Sequence, residues 1–258
     1  EFLPEEFLDI FRYKENKPSL LHSNSSDTIV IPDTPQQGSI GQMDSLQQVA
    51  EMFPVNPITG FLDSLDNSSG QIRVMYYGDS QIEGDRFTSF LRKNLRKRHP
   101  GTGPGLFLPL MPVMHTKSIV IRSSAKWKKY NYLSYKNKEI SHNRLGPFMA
   151  ICRYLPEGRI SAVPIDAFVS VKPSYLADSA SAEYDILRLF YNNREGVVRY
   201  SVKAGGKYIF TDTLPRTKGL NEISCRLNGA KDVLLEFTGN VSPDIFGISI
   251  ESETGVII

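Results

Sequence analysis

At 258 residues, with 40% apolar and 22% charged side chains, the chain suffices for one large or two modest domains with real hydrophobic cores. Its 30 basic and 28 acidic side chains leave a net charge of +2, so no bulk field favours nucleic acid as a partner. No apolar run approaches the roughly 18 residues that a membrane-spanning helix requires.

Residues 1–45 read as an irregular N-terminal segment. Pro4, Pro18, Pro32 and Pro35 interrupt it, and Ser23-Asn24-Ser25-Ser26 and Gln36-Gln37-Gly38 have linker composition. Thr28–Ile31 is a candidate short strand within it. The chain opens on Glu1 with no signal-peptide pattern, and we expect a targeting segment already removed and an extracytoplasmic location, periplasmic or secreted. Asp44 or Ser45 can cap a short helix running to Phe53, and Ile58–Leu65 is a second helical candidate.

Residues 46–115 carry the chemically most suggestive stretch. Gln71-Ile72-Arg73-Val74-Met75-Tyr76-Tyr77 has the composition of a buried strand. Beyond it, Phe87, Phe90, Leu91 and Leu95 recur at helical spacing, with Arg92, Lys93, Arg96, Lys97 and Arg98 read as a solvated basic face. Gly78-Asp79-Ser80 therefore lies at a strand-to-helix junction, where unpaired N–H groups and the helix dipole favour negative charge. A serine there can attack a carbonyl while its own N–H steadies the oxyanion. The same tripeptide is also ordinary turn and helix-cap composition.

Val74-Met75-Tyr76-Tyr77-Gly78-Asp79-Ser80, with Gly84-Asp85-Arg86-Phe87-Thr88 and Gly101-Thr102-Gly103-Pro104-Gly105, resembles the first block of the SGNH (GDSL-type) hydrolases. The likeness spans about residues 50–112. More narrowly it is similar to secreted bacterial carbohydrate and peptidoglycan O-acetylesterases. The resemblance implies that Ser80 is the nucleophile and, through its backbone N–H, the first oxyanion donor. Asp79 would brace the turn. The family's base, a His preceded three residues earlier by an Asp, is missing: no Asp here has a His three positions on. His22, His99, His115 and His142 all precede the C-terminal part. His115 and His142 read as surface residues, although triad geometry is not bound to chain order and keeps His115 open. The resemblance implies no cofactor and no metal.

Residues 116–250 read differently. Ile119–Arg122, Ala162–Lys172, Tyr184–Tyr191, Val197–Lys203, Tyr208–Thr213, Asn221–Leu227, Val233–Thr238 and Phe246–Ile250 are strand-like. Asn192-Asn193, Gly205-Gly206, Asn228-Gly229 and Gly239-Asn240 separate several of them. Short strands at close spacing predict an antiparallel β-sandwich or jelly roll. Trp127, Tyr130 and Tyr132, with Tyr135 and interleaved lysines, are candidate substrate-binding residues on a sugar-stacking loop; the competing reading is a hairpin of buried tyrosines and exposed lysines. Cys152 and Cys225 lack metal spacing and are read as unpaired.

The expected fold class is thus α/β, a partial flavodoxin-like parallel sheet, with an inserted all-β sandwich. Residues 251–258 are expected to begin the return to the hydrolase domain, the base and further oxyanion donors lying in sequence beyond Ile258. The expected function is serine ester hydrolysis on acylated polysaccharide or peptidoglycan, with this chain alone inactive. The competing expectation is a non-catalytic carbohydrate-binding protein with an unused Gly-Asp-Ser turn.

Overall fold

Two antiparallel sheets, facing one another across a common apolar core, account for most of the computed structural model, which describes residues 57–258. The expected strand at Thr28–Ile31, the helix to Phe53 and His22 lie outside the described residues. The elements in chain order are α1 Pro57–Asn67, β1 Gln71–Arg73, a 3-10 turn Ser80–Asp85, α2 Arg86–Leu95, β2 Gly105–Phe107, β3 Ile119–Ser123, β4 Lys128–Asn131 and α3 Tyr132–Lys136. Then follow β5 Ala150–Arg153, β6 Ile165–Pro173, β7 Ile186–Asn192, β8 Val198–Ala204, β9 Lys207–Leu214, β10 Asn221–Arg226, β11 Val233–Gly239, β12 Asp244–Glu251 and β13 Gly255–Ile257.

One sheet runs β3-β6-β11-β8-β9 and the other β10-β7-β12-β5-β4, with β2 on the same edge of β12 that β5 begins. Period-two alternation builds the interior. Val169 and Val171, Leu187 and Leu189, Val198 and Val202, Leu235 and Phe237, and Ile248 and Ile250 all point into the core. Each such side chain contributes about 1.5–3 kcal/mol by leaving water. Gly205 and Gly206, both at positive φ, form the two-residue turn between β8 and β9, where the strand twist demands left-handed residues.

The α/β expectation shrinks to one parallel pair, β1–β13, with Gln71 opposite Gly255 and Arg73 opposite Ile257. Among the described residues no larger parallel sheet is present. The expected strand to Tyr77 ends at Arg73 because nothing pairs with its second half. The sandwich also starts earlier than residue 116, since β2 pairs with Ile248–Ile250 of β12.

The glycine-rich segment 101–105 is what seats β13. A Cβ on Gly101 would stand 2.7 Å from Val256 O, one on Gly103 2.2 Å from Ile250 O, and one on Gly105 2.4 Å from Ile258 O. Backbone meets backbone here, and only glycine permits it. The basic face expected on α2 is partly inverted by the same contact. Arg92 and Arg96 are buried, whereas Phe90 is exposed. Arg96 donates to Val256 O (3.1 Å), Thr102 O (3.2 Å), Gly103 O (2.8 Å) and Ser181 Oγ (3.3 Å). Burial, and then the like charge of Arg92, lower its guanidinium to about 10, which leaves it charged at neutral pH. Arg92 pairs with Asp85 (3.1 Å) and donates to Ile258 O (3.1 Å). Carbonyls that a short loop cannot pair internally thus find their partners in two helix arginines.

Candidate functional site

Ser80 opens the 3-10 turn that follows β1, with Asp79 as its cap. The Asp79 carboxylate accepts from Gln81 N–H at 2.9 Å, and Ile82 N–H donates to Asp79 O, closing the turn. Gly78 lies against Ile82, 3.0 Å from a would-be Cβ, so the bend is tight. Ser80 is exposed, and its hydroxyl makes no protein hydrogen bond among the described residues. As first residue of the turn, its N–H is one of those left free of intrahelical partners. The helix proper starts one turn later, after Gly84 and Asp85, both at positive φ. Asp85 is held in that conformation by Arg92 and by the hydroxyls of Thr88 and Ser118.

The histidines are deployed elsewhere. His99 faces Asp66 of α1 at 3.5 Å, and His115 contacts Ser174 Oγ at 3.2 Å and packs edge-on against Tyr175. His142, expected on the surface, is buried. Its Nδ1 accepts from Arg144 N–H, which places the ring proton on Nε2, facing Asp244 Oδ2 at 3.1 Å. Asp244 also takes the guanidinium of Arg153, itself buried. Burial pushes the Asp244 carboxyl up, but the hydrogen bonds from His142 and Arg153 and the Arg153 charge outweigh it and hold the group below its ordinary value. This ion cluster braces the 137–149 segment against β12. Nothing in the sequence marked it, because its members lie 91 and 102 residues apart.

The aromatic loop divides in two. Trp127 is 5% exposed and Tyr130 2%, so neither presents a face to a sugar, a correction to their expected role. Trp127 stands edge-on to Tyr154 and Phe237 and donates from Nε1 to Phe168 O at 2.9 Å. Tyr130 sits in a second apolar cluster with Ile140, Leu145, Ile151 and Phe246. The hairpin reading therefore describes these two residues. Tyr132 is 48% exposed on α3, with Tyr135 tilted beside it at 6.3 Å. Asn131 caps that helix through Leu133 and Ser134 N–H, a signal legible in the sequence that the loop reading passed over.

Beside α3 lies an open cleft of about 920 Å³, bordered by Tyr135, Lys136, Ser141, Glu157, Arg194 and Glu195 among others. Glu157 accepts from Ser141 Oγ (2.7 Å) and Arg194 (3.2 Å). Burial raises the Glu157 carboxyl, but the Ser141 N–H and hydroxyl, with His142 and Arg153 nearby, bring it below its ordinary value. Glu195 Oε1 accepts from Arg153 at 2.7 Å, while Oε2 has no partner among the described residues. Fixed carboxylates, a guanidinium, a hydroxyl and an exposed tyrosine thus converge on one depression, suited to a neutral polyhydroxylated ligand.

No protein-family model matches this chain, and no curated protein matches it. Among solved structures, it is similar to TmCBM61 in complex with β-1,4-galactotriose. The identity is 9%, over 52% of this chain and 88% of that one, with a TM-score of 0.32. So distant a likeness assigns no ligand.

The described residues contain no group of three or more His, Cys, Asp or Glu placed to hold a metal. They include no helix long and apolar enough to cross a membrane. Cys152 and Cys225 are free, and burial pushes both thiols up to about 11.

Proposed function

We propose that the β-sandwich binds carbohydrate, and that the cleft beside α3 receives it. The observation that carries this reading is the meeting of Tyr135, with Tyr132 beside it, and the prearranged polar groups of Glu157, Arg194 and Glu195, which line the cleft with Tyr135. A tyrosine face covers the apolar side of a sugar ring, and fixed carboxylates and guanidinium take its hydroxyls. A polysaccharide of the cell envelope is the ligand class we favour, and an extracytoplasmic location is part of the same proposal. Calorimetric titration with soluble oligosaccharides and peptidoglycan fragments tests it. Saturable binding is expected, weakened about fivefold in Tyr135→Ala, the equivalent of about 1 kcal/mol. No heat with any glycan, or an unchanged affinity in Tyr135→Ala, removes the reading.

A second reading, ester hydrolysis at Ser80 on an acylated glycan, is favoured by one feature: an exposed serine at a capped turn that follows a strand of a parallel pair after a short unpaired stretch. Ser80 would attack the ester carbonyl and form an acyl-enzyme, with its N–H toward the oxyanion. Among the described residues no imidazole hydrogen-bonds to Ser80, so these residues alone are expected to turn over p-nitrophenyl acetate slowly or not at all. Any turnover above background must vanish in Ser80→Ala; persistence there excludes the serine.

A further inference from the structure

Four strands end the two sandwich sheets, β3 and β9 in one and β10 and β4 in the other. Three of these edges are covered or charged, as edges in stable proteins usually are. β3 is backed by residues 114–115, through Ile121 N–H to Met114 O and a bridge between His115 and Val120. β4 has only four residues, two of them lysines. β10 carries Glu222 and Arg226, both in ion pairs. β9 is the exception. It is eight residues long, and seven of them are exposed, Tyr208, Ile209 and Phe210 included.

The register with β8 shows how this edge is built. Phe210 lies opposite Val202 and Tyr208 opposite Lys203, so Ile209 is an extra residue, a β-bulge. The two-residue Gly205-Gly206 turn closes on Ala204 and Lys207 as a hydrogen-bonded pair. Bonded and non-bonded pairs alternate along an antiparallel ladder. Tyr208 and, past the bulge, Thr211 therefore turn their N–H and C=O groups to the free side. Lys207, Phe210 and Asp212 lie opposite buried Ala204, Val202 and Tyr200, on the core side of the sheet. Tyr208 and Thr211 lie on its outer side, where Lys203 Nζ sits 4.2 Å above the Tyr208 ring. Lys207 and Asp212 are exposed and form no ion pair among the described residues.

A bulge ordinarily protects an edge, because a regular strand loses register across it. From Tyr208 to Thr211 the outward groups are three residues apart, where a regular strand offers two. A strand with the same irregularity matches that spacing, and a second β9 supplies it. Set antiparallel about a two-fold axis, the two strands place Tyr208 against Thr211 on the outer side and Lys207 against Asp212 on the core side. Ile209 then meets Phe210 at the centre, so each bulge faces the other. Every contact occurs twice by symmetry, and both charged pairs are of opposite sign.

We propose that β9 is the interface through which two copies of this chain join, continuing the sheet β3-β6-β11-β8-β9 into that of the second copy. No residue of β9 lines the cleft beside α3, and the proposal does not depend on carbohydrate binding.

Sedimentation and amide hydrogen exchange of the full chain test it. A reversible dimer with a dissociation constant below about 100 µM is expected. The Tyr208 and Thr211 amides should exchange at least about tenfold more slowly in the dimer than in the monomer. Lys207→Asp sets like charges opposite each other twice, and so does Asp212→Lys; each should weaken the dimer at least about tenfold. The double reversal restores both pairs and should return to within about threefold of the parent. An equimolar mixture of the two single variants should form a heterodimer under conditions where neither dimerises alone. The two residues are five apart on an extended strand, about 16 Å, so rescue reports a contact between copies and not within one.

Four results overturn the proposal. The chain stays monomeric at 100 µM and above; the dimer survives either single reversal; the reversals abolish it and neither the double variant nor the mixture restores it; or Tyr208 and Thr211 are already protected at the lowest concentration. The last would make another part of the same chain the cover. The exchange measurement uses the unmutated chain, so a variant that fails to fold leaves the decision intact.

Discussion

Gly255→Ala is the sharpest probe of how β13 is held. At φ +82°, an added Cβ falls 1.5 Å from Pro100 O, 2.3 Å from its carbonyl carbon and 2.8 Å from Gly101 N. Ordinary contact begins near 3.4 Å, so the 99–101 segment must retreat by about 2 Å. The left-handed conformation itself costs an L-residue about 1–2 kcal/mol. Retreat also breaks Val256 N–H to His99 O and pulls Thr102 O and Gly103 O from Arg96. One neutral hydrogen bond at about 1 kcal/mol and part of a buried charge-assisted set at about 1.5–3 bring the total to about 3.5–6 kcal/mol. Urea denaturation read by circular dichroism measures the loss. Hydrogen exchange then shows whether it is global or confined to β1 and β13. Gly206→Ala is the control: its φ is +80° but nothing stands within 4 Å of its Cβ, so only the backbone strain remains. If Gly255→Ala costs no more than Gly206→Ala, the backbone-on-backbone account of this junction is wrong.

Trp127→Phe removes the Nε1–H bond to Phe168 O and opens space beside Tyr154 and Phe237, for an expected loss of about 2–3 kcal/mol in urea unfolding. Glycan affinity should not change, and a selective loss of glycan binding at full stability would return the residue to the surface. Asp244 titrates below its ordinary value in the fold, so its ionised form stabilises the native state above about pH 4, and that contribution disappears as pH falls further. Asp244→Asn should therefore be less stable than the parent at pH 7 and lose less stability on acidification to pH 3. Parallel stability profiles for the two proteins contradict the role given to the His142–Asp244–Arg153 cluster.

The sandwich was legible because its strands alternate and its turns carry their own chemistry. The expected Val197–Lys203 and Tyr208–Thr213 appear as Val198–Ala204 and Lys207–Leu214, joined by the Gly205-Gly206 turn that the two glycines dictate. Local patterns failed where a distant partner decides the outcome. Arg92 and Arg96 have the spacing of a solvated face, yet carbonyls of residues 102, 103, 256 and 258 draw them inward. Tyr130 and Tyr132 are two residues apart in a uniform Lys/Tyr stretch. One is buried because β4 pairs with β5, and the other is exposed because the chain turns into α3 at Asn131. The polar cleft shows the same limit: Ser141, Glu157 and Arg194 carry no common motif, and only the fold brings them together.

The glycine contacts that seat β13 also bear on the order of folding. The chain enters the sandwich past Gly103 and leaves it past Ile250, two points that touch. Gln71 and Ser252, which hydrogen-bond across the junction, are 181 residues apart in the chain. Closing so long a loop from the unfolded state would be slow and entropically costly. Once the sandwich has formed, its two exits already stand side by side, and what remains is a short closure. The β1–β13 pair should accordingly be the last structure to form and the first to open, and its lifetime should follow that of the sandwich beneath it.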